Sequence, residues 1–162
     1  MAAVDYFLKL DGIDGESADA KHKNDIDVMS WSFGATNSGT MAMGGGGGAG
    51  KVAFHDFNFV MHVNKASPKL KLACASGEHI KKAVLICRKA GKDQQEFLKY
   101  TFTDCLVSSF QQGGSSSGDI IPTDQISLNF GKIEMEYKAQ KADGTLDGAV
   151  KAGWDLKANV KV

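Results

Sequence analysis

The segment Gly45 to Lys51 reads Gly-Gly-Gly-Gly-Ala-Gly-Lys, the spacing with which a glycine-rich loop wraps nucleotide phosphates in backbone amides and a lysine reaches the terminal ones. The next position should carry a hydroxyl for magnesium, and here it is Val52. The context disagrees as well, because such a loop opens a helix whereas Val52-Ala53-Phe54 has the character of a strand. Gly114-Ser115-Ser116-Ser117-Gly118 has the letters of a nucleophile elbow, which needs a strand-to-helix turn and a later histidine. The last histidine, His79, lies upstream. His22, His55, His62 and His79 are scattered, with no helical His pair and no nearby cysteine to complete a metal set. Asp25/Asp27 and Glu134/Glu136 place carboxylates at i and i+2 on one strand face, which suits acid-base work but commonly marks a wet surface. Cys74, Cys87 and Cys105 are an odd number at spacings that fit neither a disulfide framework nor paired zinc ligands, and they read as buried free thiols. No catalytic residue, metal site or cofactor is assigned.

The elements that would position such groups are strands. In 162 residues and 17.3 kDa the chain fits one domain, 1–162. Its 19 Lys+Arg balance 19 Asp+Glu, which argues against a nucleic-acid binder. Two prolines against 19 glycines lean towards an all-β protein. Val28 to Gly50 holds no charge, but its eight glycines and its serines, threonines and asparagine exclude a membrane span. An acid at Asp5, with no long apolar segment after it, predicts no signal peptide.

Val4, Tyr6, Leu8 and Leu10 form an even-numbered stripe, and Trp154, Leu156, Ala158 and Val160 form another, so both ends predict half-buried strands. Asp25 to Ala35, Val52 to Val60, Ile80 to Ala90, Glu96 to Phe110 and Gln125 to Tyr137 also read as strands, and the set predicts a β-barrel or two-sheet sandwich. Apolar parity changes across Gly131-Lys132 and across His55-Asp56, which predicts β-bulges. One helix is expected, with Ser67 as N-cap, Pro68 in its first turn, Leu70, Leu72, Ala73 and Cys74 towards the core, and Gly77 as its stop. Ala18 to Asn24, Gln111 to Asp119 and Asp143 to Gly148 read as loops.

An uncharged, glycine-rich arm from about 36 to 50 is too long for a hairpin turn. Glycine permits close approach and flexible methionines adapt to a partner, so the arm reads as a contact with another protein. In the strand before it, Met29, Trp31 and Phe33 form one face, expected inside, while Val28, Ser30 and Ser32 form the other.

These residues resemble the Hcp family, the haemolysin-coregulated proteins of type VI secretion, whose fold is shared with phage tail-tube proteins. The resemblance covers essentially the whole chain. It is carried by Phe7-Leu8-Lys9, Gly15-Glu16-Ser17, Ile26 to Gly34, Met43 to Lys51, Ala73 to Gly77, Arg88 to Gly91, Leu106 to Ser109, Gln140 to Gly144 and Gly153-Trp154. It implies an all-β, ring-forming protein with one short α-helix, whose homohexameric rings stack into a tube inside a contractile sheath, capped by a VgrG spike. It implies effector proteins carried in the lumen, and a subunit that is cytoplasmic before firing and then exported. No nucleic acid or membrane insertion is expected. Ser30 and Ser32 are then expected to face the lumen, and Thr40, Met41, Met43, Gly46 and Gly48 to make inter-ring contacts. The chain stops soon after the last expected strand, so no toxin extension is expected. The alternative is a stand-alone β-barrel enzyme or ligand-binding module.

Overall fold

The computed structural model describes residues 3–42, 48, 50–91, 93–118 and 120–162. Among these the strands are β1 (Val4–Leu10), β2 (Ile26–Asp27), β3 (Ser30–Ser32), β4 (Ala35–Asn37), β5 (Val52–Phe54), β6 (Phe57–His62), β7 (His79–Lys89), β8 (Glu96–Gly113), β9 (Thr123–Gln140), β10 (Leu146–Asp155) and β11 (Val160–Lys161). The helix α1 spans Ala66–Ser76. One antiparallel sheet runs β11-β10-β9-β8-β7-β1-β2, β9 also pairs with β6, and β6 with β3. The small sheet β4-β5 stands apart.

The predominance of strands and the short helix match the expectation, but the sheet does not close into a barrel. It curls until β2, at one end of the sheet, and β3, at the end of the β9-β6-β3 branch, are linked in the chain by Val28-Met29. There the chain changes partners: the Val28 amide donates to Tyr6 of β1 at 3.0 Å and the Met29 amide to Val60 of β6 at 2.8 Å. The change of partner reverses the expected parity. Val28 is buried and Met29 is 44% exposed, while Trp31 still packs on Tyr100 with ring centroids 5.6 Å apart.

The long strands β8 and β9 carry the curl. Both switch their buried face at one level, from Phe102 to Cys105 on β8 and from Ile133 to Phe130 on β9. Register is unchanged across the switch (Thr103↔Lys132, Cys105↔Phe130), so the expected bulge at Gly131-Lys132 is a paired turnover, with Asp104 at φ +55° opposite Gly131. The extra residue sits instead at Ser108, between Val107↔Leu128 and Ser109↔Ser127. At His55-Asp56 the chain breaks into β5 and β6 rather than bulging.

The core fills the curl with Phe57 and Phe59 of β6 against Phe102 of β8, Leu8 of β1 and Leu85 of β7, all essentially inaccessible. The Phe57 and Phe102 rings pack at a tilt with centroids 4.6 Å apart. Aromatic burial of this kind supplies the largest part of the apolar driving force.

Three expectations change at the ends of elements. Lys65, not Ser67, precedes the helix, and Ser67 is buried within its first turn. Leu72 points outward at 64% exposure, while Gly77 terminates the helix at φ +72° as expected. The C-terminal stripe is not one strand: β10 begins at Leu146, inside the expected loop, and residues 156–159 turn before β11, with Asn159 at φ +57°.

Candidate functional site: an uncharged polar sheet face

Phe57, Phe59 and Met61 of β6 and Asp124, Ile126 and Leu128 of β9 are buried, so strand alternation places Asn58, Val60, Gln125 and Ser127 on the opposite face. Register extends this face over four strands. One row runs Ser32, Asn58, Ser127, Ser109 and the next Ser30, Val60, Gln125, Gln111. A shallow depression of about 440 Å³ lies over them, between β3, β6, β9 and the far end of β8. None of the residues lining it carries a charge. Ser30 and Ser32 are exposed on this face.

The bulge at Ser108 brings two neighbouring hydroxyls to the same place. Ser108 and Ser109 both hydrogen-bond Ser127 through their hydroxyls. Ser108 Oγ donates to Asp56 at 2.6 Å, and Asn129 Nδ2 donates to the other oxygen of the same carboxylate at 2.9 Å. Asp56 therefore sits at the rim as a satisfied acceptor. Among the described residues no histidine joins Ser108 to Asp56, so this trio lacks the relay of a hydrolase. The face offers neutral donors and acceptors, which suits reversible contact with a protein surface.

The arm is more ordered at its base than its composition suggests. Ala35–Asn37 pairs with Val52–Phe54, Asn37 Nδ2 donates to the Gly50 carbonyl at 2.8 Å, and the Thr40 amide reaches the Gly48 carbonyl at 3.2 Å. It is a hairpin extension rather than a bare loop. Thr40 and Gly48 face each other, Met41 is 81% exposed, and Met43 and Gly46 lie outside the described residues. Lys51 leads directly into β5, so no helix follows the phosphate-loop spacing. Gly114 to Gly118 lies in the exposed connection from β8 to β9.

Two charged clusters escaped the sequence reading. Arg88, 2% exposed, donates from Nη2 to Asp19 at 2.6 Å and to Asp5 at 3.1 Å, and lies over the Phe7 ring. The Arg88 hydrogen bonds hold the Asp19 carboxyl well below the usual carboxylate range, and the guanidinium is held more firmly protonated in return. Asp27 nearby is pushed the other way, chiefly by burial, with Asp19, Asp5 and Asp25 adding repulsion. His22 stacks on Phe7 at 4.3 Å and meets Asp25 at 3.0 Å and Glu96 at 2.6 Å. The available signal was composition: Arg88 is the single arginine of the chain, and arginine is preferred where a buried cation must bridge carboxylates. Glu134 and Glu136 stand on an outer strand face beside Lys132 and Lys138, the wet-surface reading. Among the described residues no group of three or more His, Cys, Asp or Glu is placed to hold a metal ion.

Comparison with known proteins decides what this scaffold is. The family described as "Type VI secretion system effector, Hcp" matches residues 7–137. The chain belongs to the Hcp family. It is 47% identical over 161 residues to Protein hcp1 of Pseudomonas aeruginosa, covering 98% of this chain and 99% of that one. The crystal structure of Hcp1 from Salmonella typhimurium superposes with a TM-score of 0.83 at 42% identity over 99% of this chain and 100% of that one. A solved type six secretion system protein superposes with a TM-score of 0.94 at 33% identity, over 99% of this chain and 100% of that one. The chain is thus a tube- and effector-related structural protein of type VI secretion, secreted by that system. Among the described residues no helix is long and apolar enough to cross a membrane.

Proposed function

We propose that this Hcp protein forms six-membered rings that stack into the inner tube of the secretion system, with Ser30 and Ser32 facing the lumen and contacting effector proteins carried there. The observation that supports this reading is that the four-stranded polar face has an open edge on each side. Among the described residues β3 pairs with β6 alone, and the end of β8 from Ser109 to Gly113 pairs with β9 alone. Two unlike open edges on one sheet suit a head-to-tail contact that closes into a ring and satisfies both rows of backbone groups. In that arrangement the neutral rows become a continuous inner wall, and small hydroxyls leave room for varied guests.

The protein then acts as a structural subunit and carrier rather than an enzyme. It is cytoplasmic before firing and exported inside a contractile sheath behind a VgrG spike. The hairpin arm, with Thr40, Met41, Met43, Gly46 and Gly48, reaches the ring above or below.

Native mass spectrometry and negative-stain imaging should show closed six-fold rings, and a stable monomer at micromolar concentration would overturn the reading. Ser32→Gln should assemble and be secreted while co-purifying with less effector. Loss of folding would put Ser32 in the core, and unchanged effector capture would remove it from the binding surface.

A further inference from the structure

Each ring nitrogen of His22 faces a carboxylate. Nδ1 lies 3.0 Å from Asp25, and Nε2 lies 2.6 Å from Glu96, 74 residues away at the start of β8. An ionised carboxylate only accepts, so holding both contacts at once takes two N–H donors, and only the imidazolium has two. A neutral ring carries one proton and turns a lone pair on the other carboxylate. The ring is not free to swing aside, because it is buried and stacked on Phe7 with the two planes 10° apart.

The two carboxylates are not equivalent. Asp25 is local: its amide donates to the His22 carbonyl at 3.1 Å and its side chain is 12% exposed. The Glu96 side chain is 41% exposed. A ring with one proton therefore keeps it toward Asp25, while Glu96 turns to water. The contact that breaks is the one that ties the 11–25 loop to β8. The other tie of this loop runs through the guanidinium of Arg88 to Asp19, and arginine keeps its charge throughout.

The loop itself carries Asp19, Lys21, Lys23 and Asp25, while β1 brings Asp5, β2 Asp27, β7 Arg88 and β8 Glu96. Arg88 is taken up by Asp5 and Asp19, so a neutral His22 leaves Asp25 and Glu96 on either side of a ring that no longer carries charge. The loosening has a route to the sheet. The Ser17 amide donates to the Asp25 carbonyl at 3.0 Å, the Asn24 amide to Ser17 at 2.9 Å and the Gly15 amide to Asn24 at 2.8 Å, directly before β2.

We infer that His22 is a proton-operated latch: as the imidazolium it locks the 11–25 loop onto β8, and loss of its proton frees Glu96 and lets residues 15–25 open at the entrance to β2. The latch is closed on the acid side and opens as pH rises. It operates within one protomer.

Hydrogen exchange of the native protein, read by mass spectrometry and corrected for the intrinsic pH dependence of amide exchange, measures the opening. Peptides covering residues 15–25 should be at least about tenfold less protected at about pH 8.5 than at about pH 5.5, while β9 peptides keep one protection at both. His22→Gln stays neutral at either pH, and Glu96→Gln offers an amide that pairs with either form of the ring, so each should bring the ratio to within about twofold of one. His79→Gln, at an exposed histidine on β7, should keep the wild-type ratio. Equal protection of the wild type at the two pH values would overturn the latch. A ratio that survives His22→Gln would also overturn it and assign the effect to Asp27, whose carboxyl is pushed up by burial and whose charge likewise strains this region as pH rises. A ratio lost in His22→Gln but kept in Glu96→Gln would overturn the tie to β8. Where His22→Gln does not fold, the milder Glu96→Gln at the surface carries the test.

Discussion

Ser67 Oγ donates to Asp124 at 2.5 Å, fastening the first turn of the helix to the start of β9 at a place where Asp124 is completely buried. Gln112 Nε2 donates to the other oxygen at 2.9 Å, and Ser67 Oγ accepts the Asn64 amide at 3.0 Å. Among the described residues the Asp124 side chain is therefore held by hydrogen-bond donors without a cation partner. Ser67→Ala should cost about 1–2 kcal/mol by stranding an acceptor and an amide, and Asp124→Ala about 1–3 kcal/mol because the buried Ser67 hydroxyl and the Gln112 amide lose their acceptor. Urea unfolding of both single variants and the double should show a double loss smaller than the sum, the mark of one coupled network.

Asp19 and Asp27 lie in one groove and titrate in opposite directions. Asp19 binds its proton less tightly folded than unfolded, so its contribution is fully present above the ordinary carboxylate range and is lost as pH falls through that range and below it. Asp27 binds its proton more tightly when folded, so its charge opposes folding at neutral pH and acid relieves it. Asp19→Asn should lower the melting temperature at pH 7 and flatten the acid limb of stability against pH. Asp27→Asn should leave stability at pH 7 equal or higher. Arg88→Met, which leaves Asp5 and Asp19 facing each other unbridged, should cost about 3 kcal/mol. Equal effects of the two aspartate variants would show that the groove does not distinguish them.

The regular strands were legible in the sequence because alternation is a local property: β1 and β7 fall within a residue of their expected bounds. What was not legible depends on partners distant in the chain. Val28 and Met29 exchange faces because their amides bond to β1 and β6, which no local pattern reports. Leu156 and Ala158 alternate as a strand would, yet the chain turns there, and β11 folds back so that Val162 donates its amide to Gly153. Of the candidate site, Ser30 and Ser32 were readable as small residues opposite Trp31. Asn58, Gln111 and Gln125 join them only through cross-strand register.

Two glycines at which an added methyl group would meet an atom closer than 3.0 Å should respond differently. A methyl group on Gly15 would lie 2.5 Å from the Asp25 carbonyl oxygen and 2.8 Å from the Ile26 Cα, both backbone. On Gly131 the nearest atom, at 2.8 Å, is the end of the flexible, exposed Lys157 side chain. Gly15→Ala should therefore cost about 1–3 kcal/mol by forcing the 11–25 loop off β2. Gly131→Ala should cost less, since Lys157 can swing away from Asp104. The comparison is a pair of denaturation curves, and a reversed order would contradict the close packing of Gly15.

Burial pushes the thiols of Cys87 and Cys105 up to about 12, and both are under 2% exposed. Since the thiolate is the reactive form, neither should react with a disulfide reagent at pH 8 in the folded protein. Half-buried Cys74 on α1 should be the one thiol titrated before denaturant is added, and all three afterwards. Rapid labelling of Cys87 or Cys105 in the native state would reveal opening of the β1-β7-β8 core.

The arm provides the sharpest separation of ring from tube. Met41 is 81% exposed, so Met41→Asp should leave folding and ring closure unchanged. If the arm packs against an axial neighbour, burying the same aspartate unpaired in that contact costs several kcal/mol on the order of magnitude that disrupts stacking. Repetition around a ring multiplies that penalty, so tubes should fail to form and secretion should fall to background. Met43→Asp applies the same charge from a position outside the described residues and should behave alike. Thr40→Val, which removes the hydroxyl bonded to the Gly48 carbonyl at 3.1 Å, should loosen the hairpin without adding charge and shorten tubes rather than abolish them. Tubes of normal length from Met41→Asp, measured by negative-stain imaging, would exclude the arm as an axial contact.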